Sequence, residues 1–253
     1  MDEPVLVKRR GGVLEITLNR PERRNAVNVA LSQGVSEALD LLDEDPDLAV
    51  GVLTGSGGTF CAGMDLKAYL EGERPMLEGR GFAGIVARPP AKPICAAVEG
   101  YALAGGFEIV LACDLVVAAR DARFGLPEVK RGLAAGGGGI LRLAQRVPPA
   151  VGLEVVLTGD PLSAERAKEL NLVTALAEPG QSLEVALEFA ERIAANAPLA
   201  VQASKRLSAA AAVVGDDIWA EHQRTAVELM NSEDAREGAR AFAAREAPRW
   251  QGR

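Results

Sequence analysis

Histidine is almost absent from the chain: His222 is the only one among 253 residues. A metal site built from several histidines is therefore excluded, because each imidazole ligand needs its own residue. The neighbours of His222 are polar, which favours a position on the protein surface. If the protein transfers protons, we expect carboxylates to do it.

Aromatic residues are also scarce, and acidic residues outnumber basic ones. Aromatic residues make up 4% of the chain, and 35 acidic residues against 28 basic ones give a formal net charge of −7. Proteins that bind nucleic acids usually combine basic surfaces, which neutralise phosphates, with aromatic rings that stack on bases. We therefore expect no nucleic-acid partner.

Long apolar runs and paired cysteines are missing as well. No run of about 18 apolar residues occurs, so no membrane-spanning helix is predicted. The first residues, MDEPVLVKRR, contain no apolar segment typical of a secretory signal. Cys61, Cys95 and Cys113 form an odd set without a CxxC pair, as is usual for free thiols in a reducing compartment. We expect a cytoplasmic protein.

Short apolar runs alternate with helical stretches in the first half of the chain. Strands are predicted at residues 13–18, 49–54, 93–98 and 115–119. Residues 28–43 have the apolar spacing of an amphipathic helix. Continuous apolar strands separated by helices are typical of a parallel sheet covered by helices on both faces. The fold class is therefore predicted to be α/β.

The second half reads as largely helical from Gly136 onward. Helices are predicted at residues 182–196 and from residue 199 to about residue 214. Asp216 and Ser232 have the character of N-caps that begin two more helices. A helical region without a sheet of its own must pack on the rest of the chain or on another subunit.

Two segments, residues 59–67 and 100–114, place small residues after apolar strands, where α/β proteins commonly bind ligands. In the second segment Gly105 and Gly106 precede a helical run. The unpaired N–H groups of a helix start can hold an anion, and glycine lets a ligand approach the backbone. A tight turn that needs glycine for its own conformation explains the pattern equally well.

Two glutamates are candidates for proton transfer. Glu108 lies in an apolar helical run, where burial would raise its pKa, although a position at the helix N-terminus is also simply favourable. Glu128 follows the next strand and could meet Glu108 at the same sheet edge, giving an acid and a base. A solvated turn residue is the alternative for Glu128.

Other motifs allow more than one interpretation. Residues 136–139 are all glycine and could bring backbone close to a ligand or begin a flexible helix. Cys61 lacks a nearby base and is better explained as an apolar filler than as a nucleophile. Arg20, Arg23 and Arg24 could contact phosphates, although a solvated turn is the commoner explanation. Asp65 is predicted to be the N-cap of a short helix.

Six motifs in order make the chain resemble the enoyl-CoA hydratase/isomerase (crotonase) family from end to end. They are ITLNRPERRNAVN, TFCAGMDLK, GYALAGGFEIVLACDLVVAA, ARFGLPEVKRGL, LTGDPLSAERAKELNLV and SEDAREGARAFAAR. The resemblance implies a crotonase-like fold of repeated ββα units. It implies that residues 1–195 form the α/β core with the CoA-binding and active sites. Residues 196–253 would be a helical region that packs on this core and on a neighbouring subunit of a homotrimer or hexamer.

The resemblance also assigns roles to individual residues. The N–H groups of Met64 and Gly105 would form the oxyanion hole, while Glu108 and Glu128 would act as acid and base on a bound water. No metal and no separate cofactor are implied, since coenzyme A is part of the substrate. The residues that match CoA-binding positions are Arg24, Ala26, Ala62, Asp65, Leu66, Lys67, Phe242 and Arg245.

Hydration of a 2-enoyl-CoA is the activity implied first, because both glutamates are present. The GGFE motif, the bulky Met64 before Asp65 and residues 81–84 resemble the carnitinyl-CoA (crotonobetainyl-CoA) hydratase branch, which is an alternative. An enoyl-CoA isomerase and a non-catalytic RNA-binding homologue are further alternatives. Met64 replaces an alanine of many members, and Ala135 with residues 136–139 replaces a Pro-Gly/Asp turn, so the acyl group stays open.

Overall fold

The computed structural model describes residues 3–210, 228, 231–244 and 246–253. The strands are β1 (Val5–Arg10), β2 (Val13–Leu18), β3 (Val50–Gly55), β4 (Met76–Leu77), β5 (Gly81–Phe82), β6 (Ile94–Val98), β7 (Tyr101–Leu103), β8 (Leu115–Ala119), β9 (Arg123–Gly125), β10 (Leu162–Ser163) and β11 (Ala175–Ala177). The helices are α1 (Val29–Glu44), α2 (Leu66–Leu70), α3 (Gly105–Ala112), α4 (Gly139–Arg146), α5 (Pro149–Thr158), α6 (Ala164–Glu169), α7 (Ser182–Ala194), α8 (Pro198–Ala210) and α9 (Glu233–Ala244). Short 3₁₀ helices span Pro21–Arg23 and Pro127–Arg131.

The main sheet contains six strands in the order β1-β2-β3-β6-β8-β11. β1 pairs antiparallel with β2, and every other neighbouring pair in this sheet is parallel. The four strands predicted from apolar runs all lie in it. Every residue of β6 is buried, as expected for a central strand of a parallel sheet.

Helices cover both faces of the main sheet, as predicted. Helix α1 begins after Asn28, whose side chain accepts a hydrogen bond from the Leu31 N–H, and its apolar stripe is buried against one face. Helix α7 packs on the opposite face, where Ala186 and Ala190 contact the outward-facing side chains of the strands. Small residues on α7 allow this close approach.

A second sheet of three short strands, in the order β10-β9-β7, carries the chain toward the site. β7 and β9 are parallel to each other, so their carboxyl ends lie at the same edge. β7 leads directly into α3, and β9 leads into the 3₁₀ helix Pro127–Arg131. The strand pairs β6–β7 and β8–β9 therefore deliver two segments of chain to one place.

Most of the described part of the C-terminal region is helical, in α8 and α9, while residues 246–253 have no regular structure. Ser232 caps α9, since its Oγ accepts a hydrogen bond from the Ala235 N–H, as predicted. Asp216, His222 and Arg245 lie outside the described residues. The division into residues 1–195 and 196–253 stays a prediction. Among the residues described, no helix is both long and apolar enough to cross a membrane.

Candidate active site

A cavity of about 340 Å³ opens at the shared edge of β7 and β9. Its lining includes four residues that the sequence singled out: Met64, Gly105, Glu108 and Glu128. Most of the other lining side chains are apolar, contributed by Met76, Phe82, Leu103, Pro127 and Leu133. Titratable groups that meet in an apolar cavity are the usual mark of a catalytic site.

Two backbone amides of the cavity lining are available to a ligand. The Met64 segment is held by neighbouring hydrogen bonds, from the Val27 N–H to Gly63 O at 2.8 Å and from the Asp65 N–H to Val27 O at 2.9 Å. The N–H groups of Met64 and Gly105 donate to no described residue. Both can therefore donate to an oxygen atom placed in the cavity.

Close packing explains why Gly105 and Gly106 are glycines. A β-carbon on Gly105 would lie 2.3 Å from the Phe82 ring, and one on Gly106 would lie 2.1 Å from the Cys61 carbonyl oxygen. Ala104, just before the helix, has φ 49° and ψ −127°, a strained conformation for a residue with a β-carbon. Gly106 thus lets the start of α3 pack directly on the chain segment that leads to Met64, and Gly105 leaves room for the Phe82 ring.

Glu108 lies on α3 and is only 4% exposed. Its Oε1 accepts a hydrogen bond from the Gly139 N–H at 2.9 Å. Burial raises the pKa of Glu108, while the N–H groups of Gly139 and Gly137 and the charge of Arg142 partly offset that rise. A carboxylate that keeps these donors can still be ionised in the cavity.

The glycine run at residues 136–139 packs against the Glu108 carboxyl group. A β-carbon on Gly137 would lie 2.6 Å from Glu108 Oε2, and one on Gly139 would lie 2.9 Å from Glu108 Cγ. The run therefore has a defined use in this fold: it lets backbone donors reach a buried carboxylate.

Glu128 faces Glu108 from the 3₁₀ helix Pro127–Arg131. It is half-buried, and its Oε2 atom is buried without a hydrogen-bond partner among the described residues. Burial raises the pKa of Glu128, and the negative charge of Glu108 raises it further. The solvated-turn interpretation of Glu128 is therefore wrong in this structure. Glu108 accepts N–H groups of the glycine run, whereas Glu128 has only its own backbone N–H and keeps one unpaired oxygen, so the two carboxyl groups lie in unequal environments.

The raised pKa of Glu128 predicts a pH-dependent effect on stability. The unfolded chain releases this proton near pH 4.5, whereas the folded chain holds it to higher pH, so Glu128 costs stability as pH rises through that interval. Glu128→Gln removes the penalty. We expect its melting temperature to match the wild type near pH 4 and to exceed it by about 2–4 °C at pH 8, as thermal denaturation would measure. A difference in melting temperature between variant and wild type that is the same at both pH values would contradict this expectation.

Arg142 is a positioning residue that the sequence did not reveal. Its Nη1 donates to Gly137 O at 3.2 Å and its Nη2 donates to Val86 O at 2.5 Å. It thereby ties the glycine run to the segment that follows β5. No local sequence signal distinguishes Arg142 from the other arginine of α4, because both partners are distant in the chain.

Asp65 organises the other side of the cavity mouth. As predicted, it caps α2, with Oδ1 accepting from the N–H groups of Lys67 and Ala68 at 3.2 Å. Arg20 Nη2 pairs with Asp65 Oδ2 at 3.0 Å, and Arg20 Nη1 donates to Ala26 O at 2.5 Å. Burial alone would raise the pKa of Asp65, but these donors outweigh it and lower that pKa.

The remaining residues matched to CoA-binding positions lie as follows. Ala62 and Leu66 line the cavity. The side chains of Arg24 and Lys67 are exposed. The backbone of Phe242 belongs to α9, but its side chain, like all of Arg245, lies outside the described residues. Contact of these residues with coenzyme A stays a prediction.

The Arg20–Asp65 pair gives a testable expectation for stability. Arg20→Gln removes an ion pair whose two side chains are only 17% and 12% exposed, and it leaves Ala26 O without its donor. We expect the melting temperature to fall by about 3–6 °C. The matched control is Arg23→Gln, since Arg23 is an exposed arginine of the same turn. Equal effects of the two substitutions would contradict the role given to Arg20.

Other chemistries find little support among the described residues. No group of three histidine, cysteine, aspartate or glutamate side chains there could hold a metal ion. Cys61 is buried and free, and burial raises the pKa of its thiol to about 12. A thiol held protonated in this way is a poor nucleophile, which agrees with the apolar-filler interpretation.

Comparison with known proteins places the chain among enzymes of one kind. The sequence profile described as enoyl-CoA hydratase/isomerase matches residues 8–253. The crystal structure of an enoyl-CoA hydratase from Mycobacterium tuberculosis is 56% identical, with a TM-score of 0.97 and full coverage of both chains. That of a carnitinyl-CoA hydratase from Mycobacterium avium is 46% identical, with a TM-score of 0.81 and full coverage of both chains.

Curated sequences give the same result. A carnitinyl-CoA dehydratase of Salmonella typhi is 40% identical over 262 residues, which cover 100% of both chains. Together with the structural likeness, this confirms the predicted crotonase-like fold.

Proposed function

The chain belongs to the enoyl-CoA hydratase/isomerase family, and we propose that it adds water across the 2,3 double bond of a 2-enoyl-CoA thioester. The observation that carries this proposal is the pairing of Glu108 and Glu128 in one cavity. Hydration needs a base for the attacking water and an acid for the carbon that receives a proton. Two carboxyl groups in unequal environments can supply both.

In this mechanism the thioester oxygen accepts hydrogen bonds from the N–H groups of Met64 and Gly105. When water attacks C3, the electron pair of the double bond moves toward that oxygen and forms an enolate. Preorganised donors aimed at a developing oxyanion contribute about 10²–10³ in rate each. The unpaired state of both amides supports this role.

The two glutamates take opposite parts in the proton transfers. Glu108 accepts a proton from the water as its oxygen bonds to C3, and Glu128 donates a proton to C2 as the enolate collapses. The backbone donors to Glu108 favour its ionised form, while the unpaired Oε2 of Glu128 favours the protonated form. Proton exchange with solvent then restores both groups.

Addition of water changes no net oxidation state, so the proposed reaction needs no redox cofactor, and coenzyme A enters as part of the substrate. A homotrimer or hexamer and a cytoplasmic location stay proposals. They rest on the family resemblance and on the free cysteines.

Double-bond isomerisation is the nearest alternative, and it requires a single well-placed carboxylate. The second carboxyl group in the cavity therefore favours hydration. A non-catalytic role in RNA binding is disfavoured by the net charge of −7.

The proposal is tested by following the ultraviolet absorbance of the conjugated enoyl thioester over a panel of acyl-CoA substrates. Hydration removes the conjugation, so the absorbance of crotonyl-CoA should fall, and the product should gain the mass of one water. An isomerase would instead increase the absorbance of a 3-enoyl-CoA. No turnover on any 2-enoyl-CoA of the panel would refute the proposal.

A further inference from the structure

Arg131 is the only cationic side chain that lines the cavity in the part of the chain described. It lies one turn after Glu128 on the 3₁₀ helix Pro127–Arg131, and it is close enough for its charge to lower the pKa of Glu128. Its neighbour Lys130 is neutralised by Asp160, with 2.6 Å between Nζ and Oδ1. Arg131 has no ion pair or hydrogen bond of its side chain to any described residue.

The position of Arg131 determines which part of the substrate it can meet. If the thioester oxygen lies at Met64 and Gly105, then C2 and C3 lie between Glu108 and Glu128. An acyl chain that continues along the lining contributed by the same 3₁₀ helix reaches Arg131. In this placement of the substrate, Arg131 lies beside the distal part of the acyl group rather than beside coenzyme A.

The charge of the lining disfavours a cationic acyl group. A crotonobetainyl group carries a trimethylammonium on C4, and such groups are usually held by aromatic cages or by free carboxylates. Phe82 is the only aromatic residue that lines the cavity within the described part of the chain, and the two carboxyl groups are needed for the reaction. Arg131 adds a positive charge at this end, which repels a second cation.

We propose that Arg131 makes this site selective for 2-enoyl groups that carry a carboxylate at the end distal to the thioester. This inference rests on the proposed hydratase activity. A guanidinium binds a carboxylate through two parallel hydrogen bonds, which gives both affinity and orientation. The guanidinium is exposed in the free protein, and a bound acyl chain would exclude water from it and strengthen this contact.

The test compares three substrates that share the reacting atoms. They are crotonyl-CoA, which is neutral, crotonobetainyl-CoA, which is cationic, and the mono-CoA thioester of trans-2-hexenedioic acid, which carries a distal carboxylate. The wild type should have its highest kcat/KM with the carboxylate substrate. In Arg131→Gln the ratio of kcat/KM for the carboxylate substrate to that for crotonyl-CoA should fall by about 10- to 100-fold, mainly through KM.

Two further variants separate selection from other roles of this residue. Arg131→Lys keeps the positive charge but lacks the planar guanidinium group, so it should retain part of the preference for the carboxylate substrate over crotonyl-CoA. Lys130→Gln is the matched control, because that lysine pairs with Asp160 and does not line the cavity. The Lys130→Gln variant should have the wild-type ratio of kcat/KM for the carboxylate substrate to kcat/KM for crotonyl-CoA.

Failure of the inference and failure of the proposed function give different results. If the enzyme hydrates crotonyl-CoA but Arg131→Gln leaves the ratio of the two kcat/KM values unchanged, the role of Arg131 is wrong. The hydratase proposal then still holds. A wild type that prefers crotonobetainyl-CoA would overturn the role of Arg131 as well. Absence of hydration with all three substrates would overturn the hydratase proposal, and the inference with it.

Discussion

Replacing Glu108 by glutamine should lower kcat for 2-enoyl-CoA hydration by about 10³-fold or more, and Glu128→Gln should have a similar effect. A positioned acid or base typically contributes about 10²–10⁴ in rate, and glutamine can neither accept nor donate the required proton. Burial raises the pKa of both groups, and a raised pKa suits a carboxyl group to proton transfer better than the pKa of an exposed glutamate does. Steady-state assays of the enoyl-thioester absorbance measure the effect directly.

The matched control is Glu165→Gln, which changes an exposed glutamate of α6. Its kcat should equal the wild-type value within error. Binding of a saturated acyl-CoA should be nearly unchanged in the two cavity variants, because both side chains keep their size. If only one of the cavity variants loses hydration activity, the two-carboxyl mechanism is wrong.

Gly106→Ala should reduce activity by at least about 10²-fold and lower the melting temperature. The new β-carbon would lie 2.1 Å from the Cys61 carbonyl oxygen, a backbone atom that cannot rotate away. Cys61 O accepts the Leu103 N–H at 3.0 Å, so its displacement disturbs both the β7 contact and the segment leading to Met64. The two amides would then no longer share one oxygen atom, and the loss of one such donor costs about 10²–10³ in rate.

The control for Gly106→Ala is Gly12→Ala. A β-carbon on Gly12 has its nearest neighbours at 3.6 Å, an ordinary contact distance, so both stability and activity should stay at wild-type levels. If Gly106→Ala does not fold, Gly105→Ala tests the same geometry through its clash with the Phe82 ring. Adding Phe82→Ala removes that clash and should restore part of the activity. Wild-type behaviour of Gly106→Ala would contradict the close packing described above.

Regular structure was predictable from local sequence patterns. The apolar runs at 115–119 and 93–98 form buried strands, and the spacing of residues 28–43 forms α1 after the Asn28 cap. These features depend on short-range periodicity and capping, which a single sequence contains. The burial of Glu108 also followed from its apolar neighbours.

The contacts that complete the site were not predictable in the same way. The sequence alone left a solvated turn open for Glu128, because its burial depends on how β9 pairs with β7. The glycine run at 136–139 read equally well as a flexible helix start. No local sequence pattern marks Arg142 as a positioning residue, since only the fold brings its partners Gly137 and Val86 next to it.

The proposed mechanism requires the thioester oxygen to lie at Met64 and Gly105 and the double bond to lie between Glu108 and Glu128. A crystal structure of the Glu128→Gln variant with bound crotonyl-CoA tests it most directly. The thioester oxygen should lie about 3 Å from both the Met64 and the Gly105 nitrogen atoms, with C2 and C3 between the side chains of residues 108 and 128. A thioester oxygen that contacts neither amide, or a double bond remote from the two side chains, would contradict it.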